Sequence, residues 1–127
     1  MREPIRDKER LEHVIEAADF VISHIENVTY ESFMSDRLLY GAVVYHTMII
    51  GEACYKLSKE FVSAYTDVPW QDIAGMRHHL VHGYYRVDSK VLWVIVTVDI
   101  PSLRTKVRQY LDEIDWPKWE SQSNIPK

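Results

Sequence analysis

Apolar residues recur at steps of three and four along nearly the whole chain, a period that one buried face of an α-helix satisfies and a strand does not. From Asp7 the series Leu11, Val14, Ile15, Ala18, Val21, Ile22 and Ile25 predicts a first helix over roughly 5–28. After a polar interval, Leu38, Leu39, Ala42, Val43, His46, Ile49, Ile50, Ala53 and Leu57 predict a second over roughly 34–62, nearly apolar all round in its middle and so expected at the centre. "TDVPW" puts Pro69 at a helix start, where its missing N–H is not needed, and a third helix runs over 69–82 until Gly83 stops it. Asp88 suits the cap of a fourth, whose stripe of Val91, Leu92, Val94, Ile95 and Val98 continues past a kink near Pro101 through Leu103, Val107, Leu111 and Ile114. The β-branched run "VLWVIVTV" also suits a strand, but no partner strand is in sight, so it is read as helix. The expected fold is all-α, an up-and-down four-helix bundle.

A chain of 127 residues has room for one core. A single domain is expected over 1–115, followed by a loosely attached tail over 116–127, because "WPKWESQSNIPK" holds two prolines and little periodicity. The longest apolar stretch, "LLYGAVVYHTMIIGEACYKL", is interrupted by His46, Glu52 and Lys56, and no charged leader precedes an apolar segment at Met1. Neither a membrane span nor a secretion signal is expected. The single cysteine, Cys54, can form no internal disulfide, which fits the cytoplasm and a role as a small buried apolar residue.

Net charge is -4, but its distribution matters more than its sum. Residues 1–76 carry 7 Lys/Arg against 13 Asp/Glu, residues 77–108 carry 6 against 2, and residues 109–127 carry 2 against 4. The locally basic third opens at "RHHLVHGYY", residues 77–85. A polyanion could be met there despite the acidic whole, though a mixed solvated surface accounts for the same charges.

That nonapeptide gathers one arginine, three histidines and two tyrosines. Imidazole titrates near neutrality and moves protons, while a guanidinium keeps its charge and presents a fork that fits phosphate. Arg77 and His82 therefore supply an oxyanion clamp and an acid–base group close together. Five positions separate them by about 140° on an ideal helix, so they do not share a face. Their cooperation needs the helix to end and turn His82 inward, the arginine to reach around, or a second copy of the helix to face the first. Tyr84 returns to the face of Arg77 if the helix continues. The chemical rival is a metal clamped by His78 and His82 at i, i+4, but His79 stands where zinc proteases carry Glu, and nothing favours Glu52 or His46 as a third ligand. The plainest alternative is a polar helix end on which Leu80 and Val81 supply the core contact.

Arg, four residues, His, one residue, Tyr resembles the R-x4-H-x-Y signature of HEPN domains, specifically the HepT toxin family. "IIGEACYKLS" (49–58), "VPWQDIAGMRHHLVHGYYRVD" (68–88) and "VLWVIVTVDIPSLRTKV" (91–107) resemble the family's second, third and fourth helices in order. The resemblance implies a four-helix HEPN domain that forms a homodimer through its motif-bearing helices and acts as a metal-independent endoribonuclease on tRNA or mRNA. It further implies the toxin half of a type VII toxin–antitoxin pair, silenced when an MntA-type nucleotidyltransferase antitoxin attaches AMP to the motif tyrosine. Carried over by position, Arg77 and His82 are the catalytic pair and Tyr84 the modified residue. His78, His79, Arg86 and Lys90 are the candidate RNA-contacting or supporting side chains, and no metal or cofactor is expected. Many relatives have Asn directly after the arginine, where this chain has His78. The alternative from another class is a non-catalytic helical dimer that partners a nucleotidyltransferase.

Overall fold

The structure, a computed structural model, describes residues 6–82 and 88–122, with the backbone alone for Val81 and His82. Among the described residues all regular structure is helical. Helix α1 (Asp7–Ile25) buries Leu11, Val14, Ala18, Val21 and Ile25, the stripe the spacing predicts. It stops short of 28 because Asn27 takes a left-handed backbone, φ 62°, a conformation that Asn tolerates and that ends helices.

The polar interval holds a short helix of its own, α2 (Tyr30–Ser35), capped by Thr29, whose hydroxyl accepts from Ser32 N at 3.1 Å. Its anchor is Phe33, fully buried against Tyr40 and Trp93. Six residues are too few for periodicity to register. Asp36 then caps α3 (Arg37–Tyr55) by accepting from Leu39 N at 3.0 Å.

The single helix expected over 34–62 is two, α3 and, after a break at 56–58, α4 (Lys59–Ala64). The break is tertiary in origin. Asp7, only 5% exposed, accepts from Ser58 N at 2.7 Å and from Ser58 Oγ at 2.6 Å, while that hydroxyl oxygen accepts from Phe61 N at 3.1 Å to cap α4. The buried carboxylate is satisfied by donors that a continuous helix would have turned inward to its own carbonyls.

Helix α5 (Trp70–His82) and α6 (Ser89–Val94) fall where expected, α6 capped by Asp88, which accepts from Lys90 N and Val91 N. Between α6 and α7 (Ile100–Glu113) the chain makes a π-helical turn over Ile95–Asp99. The disturbance ascribed to Pro101 thus takes the form of a widened turn just before it. Proline has no N–H to donate and its ring crowds the carbonyl four residues back, so widening relieves both.

The expectation of a loosely attached tail is corrected for 116–122. Asp115 caps a further helix, α8 (Trp116–Glu120), and both of its tryptophans are buried. They pack with Phe61, whose ring centroid lies 6.1 Å from Trp116 and 5.7 Å from Trp119, in a cluster that also takes in Trp70 and Tyr110. Trp119 Nε1 donates to Asp7 Oδ2 at 3.3 Å and Arg6 pairs with Glu120 at 3.1 Å, so the segment is held by aromatic packing and polar anchors rather than by helical periodicity. In the bundle α3 packs against α1 and α5, and α1 against α7.

Candidate active site

The approach of α3 to α5 sets the site. Gly51 is buried in α3, and a Cβ placed on it would lie 2.9 Å from Arg77 Cβ, 3.1 Å from Arg77 N and 3.2 Å from Ile73 O. Only a residue without a side chain permits so close a crossing. The crossing fixes where Arg77 leaves α5, and two residues on the same face of α3 then receive it. Glu52 Oε2 stands 2.9 Å from Arg77 Nε, and the Arg77 Cζ lies 5.0 Å from the centroid of the Tyr55 ring. Arg77 Nε is buried and its N–H is not aligned on the carboxylate, so the contact is an ion pair without a formed hydrogen bond. Partly exposed pairs of this kind contribute about 0–1 kcal/mol, and a cation–π contact at an exposed ring about 0.5–1 kcal/mol. Their main effect is on direction: the guanidinium is held by one edge and one face.

Beyond Arg77, His78 and His79 are exposed with ring centroids 6.1 Å apart, and Leu80 is buried, the core contact expected of it. Helix α5 remains helical through His82, so regular geometry relates Arg77 to His82 and the separation of about 140° stands for the backbone. The side chain of His82, and Gly83, Tyr84, Tyr85 and Arg86, lie outside the described residues. Lys90 is exposed in the first turn of α6.

Among the described residues, no three His, Cys, Asp or Glu side chains are grouped so as to hold a metal ion. The two residues considered as third metal ligands are separated: Glu52 faces Arg77, whereas His46 stacks on Phe20 of α1 at 3.7 Å between centroids, with Nδ1 2.7 Å from Ala42 O. Nor is any helix among the described residues long and apolar enough to cross a membrane. The sequence reading does not single out Gly51 or Tyr55 and names Glu52 only as a third metal ligand that nothing favours. The signal was available in "GEACY", whose fifth residue stands four after the first and three after the second, so that Tyr55 neighbours both Gly51 and Glu52 on the helix surface.

Comparison with known proteins points the same way. The sequence profile of the family described as "Ribonuclease HepT-like" matches residues 14–110. A candidate RNase of Caldanaerobacter subterraneus is 37% identical over 103 residues, 81% of this chain and 92% of that protein. A candidate HepT ribonuclease of Thermococcus cleftensis is 36% identical over 99 residues, 78% of this chain and 90% of that protein. A candidate RNase of Methanocaldococcus jannaschii is 32% identical over 113 residues, 88% of this chain and 93% of that protein. No solved structure matches. With the profile spanning the motif-bearing helix and relatives aligned along most of their length, this chain belongs to the HepT-like ribonuclease family.

Proposed function

We propose that this chain is a metal-independent endoribonuclease, the toxin of a type VII toxin–antitoxin pair, in which Arg77 and His82 carry the reaction. The observation that carries this reading is Arg77 itself, contacted at Nε by Glu52 and at one face by Tyr55 while its side chain stays about one third exposed, five residues before His82 in a HepT-like chain. Cleaving RNA without metal requires the ribose 2′-OH to lose its proton as its oxygen attacks phosphorus. The resulting phosphorane collapses with protonation of the departing 5′ oxygen. His82 supplies one of these proton transfers, an effect worth about 10²–10⁴-fold, and Arg77 neutralises the phosphorane. His78 and His79, exposed beside Arg77, together with Arg86 and Lys90, are assigned to the RNA backbone. Purified protein should cleave total RNA in EDTA, with tRNA the first substrate to try. Arg77→Ala and His82→Ala should each abolish cleavage. Metal-dependent cleavage, or cleavage that survives both changes, refutes the assignment.

A homodimer reconciles the spacing with the chemistry, since a second copy can bring its own α5 to face the first. One face available for it is a stripe on α3, where Leu38 and Tyr45 are 89% and 59% exposed and Gly41 has open space around it. These residues stand at i, i+3 and i+7, a continuous apolar ridge of the kind that marks an interface. Mixing inactive Arg77→Ala and His82→Ala chains should restore part of the activity if one hybrid site is intact. Full activity in a strictly monomeric preparation contradicts the shared site.

The cognate antitoxin is assigned as an MntA-type nucleotidyltransferase that places AMP on Tyr84. Each AMP adds about one negative charge near His82 and opposes a second polyanion. Tyr84→Phe should retain nuclease activity yet escape silencing, and intact-mass analysis finding AMP on Tyr85 would move the switch. One observation favours the alternative of a non-catalytic dimer module: α5 is regular through His82 and keeps the motif pair on different faces. Growth arrest on expression that is relieved by Arg77→Ala or His82→Ala decides against that alternative.

A further inference from the structure

We infer that Glu52 is a positioning residue for phosphate recognition, holding the guanidinium of Arg77 by its inner edge so that the outer fork is already aimed at RNA. The inference rests on the proposed role of Arg77 as the phosphate-binding group. A carboxylate beside a catalytic arginine can do one of two opposite things. Paired with the terminal nitrogens it occupies the fork and competes with phosphate; paired with Nε it leaves the fork open. Here the close contact is to Nε, at 2.9 Å, and that atom is buried while the side chain as a whole keeps 32% of its exposure. The contact recorded between the guanidinium and Glu52 is thus through Nε and not through a terminal nitrogen.

The remaining freedom of the side chain is removed from two other directions. Gly51 lets the Arg77 Cβ come against the backbone of α3, which fixes the root of the side chain. The Tyr55 ring, 5.0 Å from Cζ, covers one face of the guanidinium. Glu52 and Tyr55 are three apart on one helix, so a single rigid element sets both edge and face. An arginine is a long, rotamer-rich side chain, and one already held in its binding orientation loses less freedom when phosphate arrives. The gain belongs to the transition state, in which charge on the phosphorane is greatest.

The test compares steady-state cleavage of a defined RNA by wild type, Glu52→Gln, Arg77→Ala and Asp19→Asn. Glu52→Gln keeps the shape and removes the charge. It should lower kcat by about 10- to 100-fold, with KM within about threefold of wild type and an unchanged circular dichroism spectrum. Asp19→Asn removes an ion pair of similar exposure, to Arg104 at 2.9 Å on another face, and should leave both constants unchanged. If Arg77→Ala is inactive while Glu52→Gln cleaves as fast as wild type or faster, the positioning role is overturned and the proposed role of Arg77 survives. A Glu52→Gln protein with raised KM and intact kcat also overturns it, because the carboxylate would then serve binding alone. If Arg77→Ala cleaves like wild type, the underlying reading fails and this inference falls with it.

Discussion

Replacing Gly51 by alanine sets two quantified effects against each other. Helix propensity alone favours alanine, by about 1 kcal/mol at an interior position. Against that, the new methyl would lie 2.9 Å from Arg77 Cβ, where carbon atoms in contact normally stand about 3.5–4.0 Å apart. The neighbour is the root of a side chain flanked by Arg77 N at 3.1 Å and Ile73 O at 3.2 Å, so no flexible tip can swing aside. Helix α5 must back away by roughly 0.6–1 Å, and overpacking of this kind costs about 1–3 kcal/mol. The balance is a net loss near 1 kcal/mol, which for 127 residues lowers Tm by roughly 4 °C. Activity should suffer more than stability, because a displacement near 1 Å in a catalytic group costs about 100-fold. Thermal unfolding by circular dichroism and single-turnover cleavage of a defined RNA read the two effects separately. A Tm raised by about 4 °C with cleavage unaltered would show that propensity wins, and that the crossing of α3 and α5 does not set the position of Arg77.

Trp119→Ala should lower Tm by roughly 10 °C, from a loss of about 3 kcal/mol when a buried indole, its Phe61 contact and its bond to Asp7 are removed together; an unchanged melting curve would restore the loose tail. Burial pushes the Cys54 thiol up to about 12, so the native protein should resist thiol reagents at pH 8 and react on unfolding. The same thiol stays protonated in the fold but ionises above about 9 in the unfolded chain, so its contribution to stability is complete below pH 9 and declines toward pH 12, which denaturation of wild type and Cys54→Ala at several pH values would detect. Tyr45→Glu places a charge on the exposed α3 ridge and should convert a dimer to monomers by light scattering while helix content is kept; a dimer that persists would move the interface elsewhere.

Much of the fold was legible because α1, α3, α5 and α7 are long enough for a three- and four-residue period to repeat. What escaped was short or held by distant partners. Phe33 nucleates a helix of six residues, too few for a pattern, and the break before Ser58 depends on Asp7, 51 positions away. The tryptophans of α8 lie among prolines and polar residues, and their burial follows from an aromatic cluster contributed by α4, α5 and α7. The motif spacing points to Arg77, whose role is proposed, but not to the residues it meets: Glu52 enters only as a third metal ligand that nothing favours, whereas its place on α3 sets it beside a cation. The π turn at Ile95–Asp99 was visible only through its cause, Pro101.

The Asp7 carboxylate gathers donors from Ser58 and Trp119, positions that leave the ribosome at widely separated times. On an emerging chain α1 is complete early, and the Ser58 donors follow after about 50 residues. The last donor arrives only with Trp119, as does the aromatic lid over Phe61. Contacts of such long sequence separation form late because loop closure must come first. A nascent chain halted before α8 therefore carries the whole of the Arg77 motif on an unfinished core, with Phe61 and its neighbours uncovered for chaperones and proteases to find. A chain ending before α8 lacks both the Trp119 donor to Asp7 and the indole that packs on Phe61, so the two ends of the sequence complete the same part of the core.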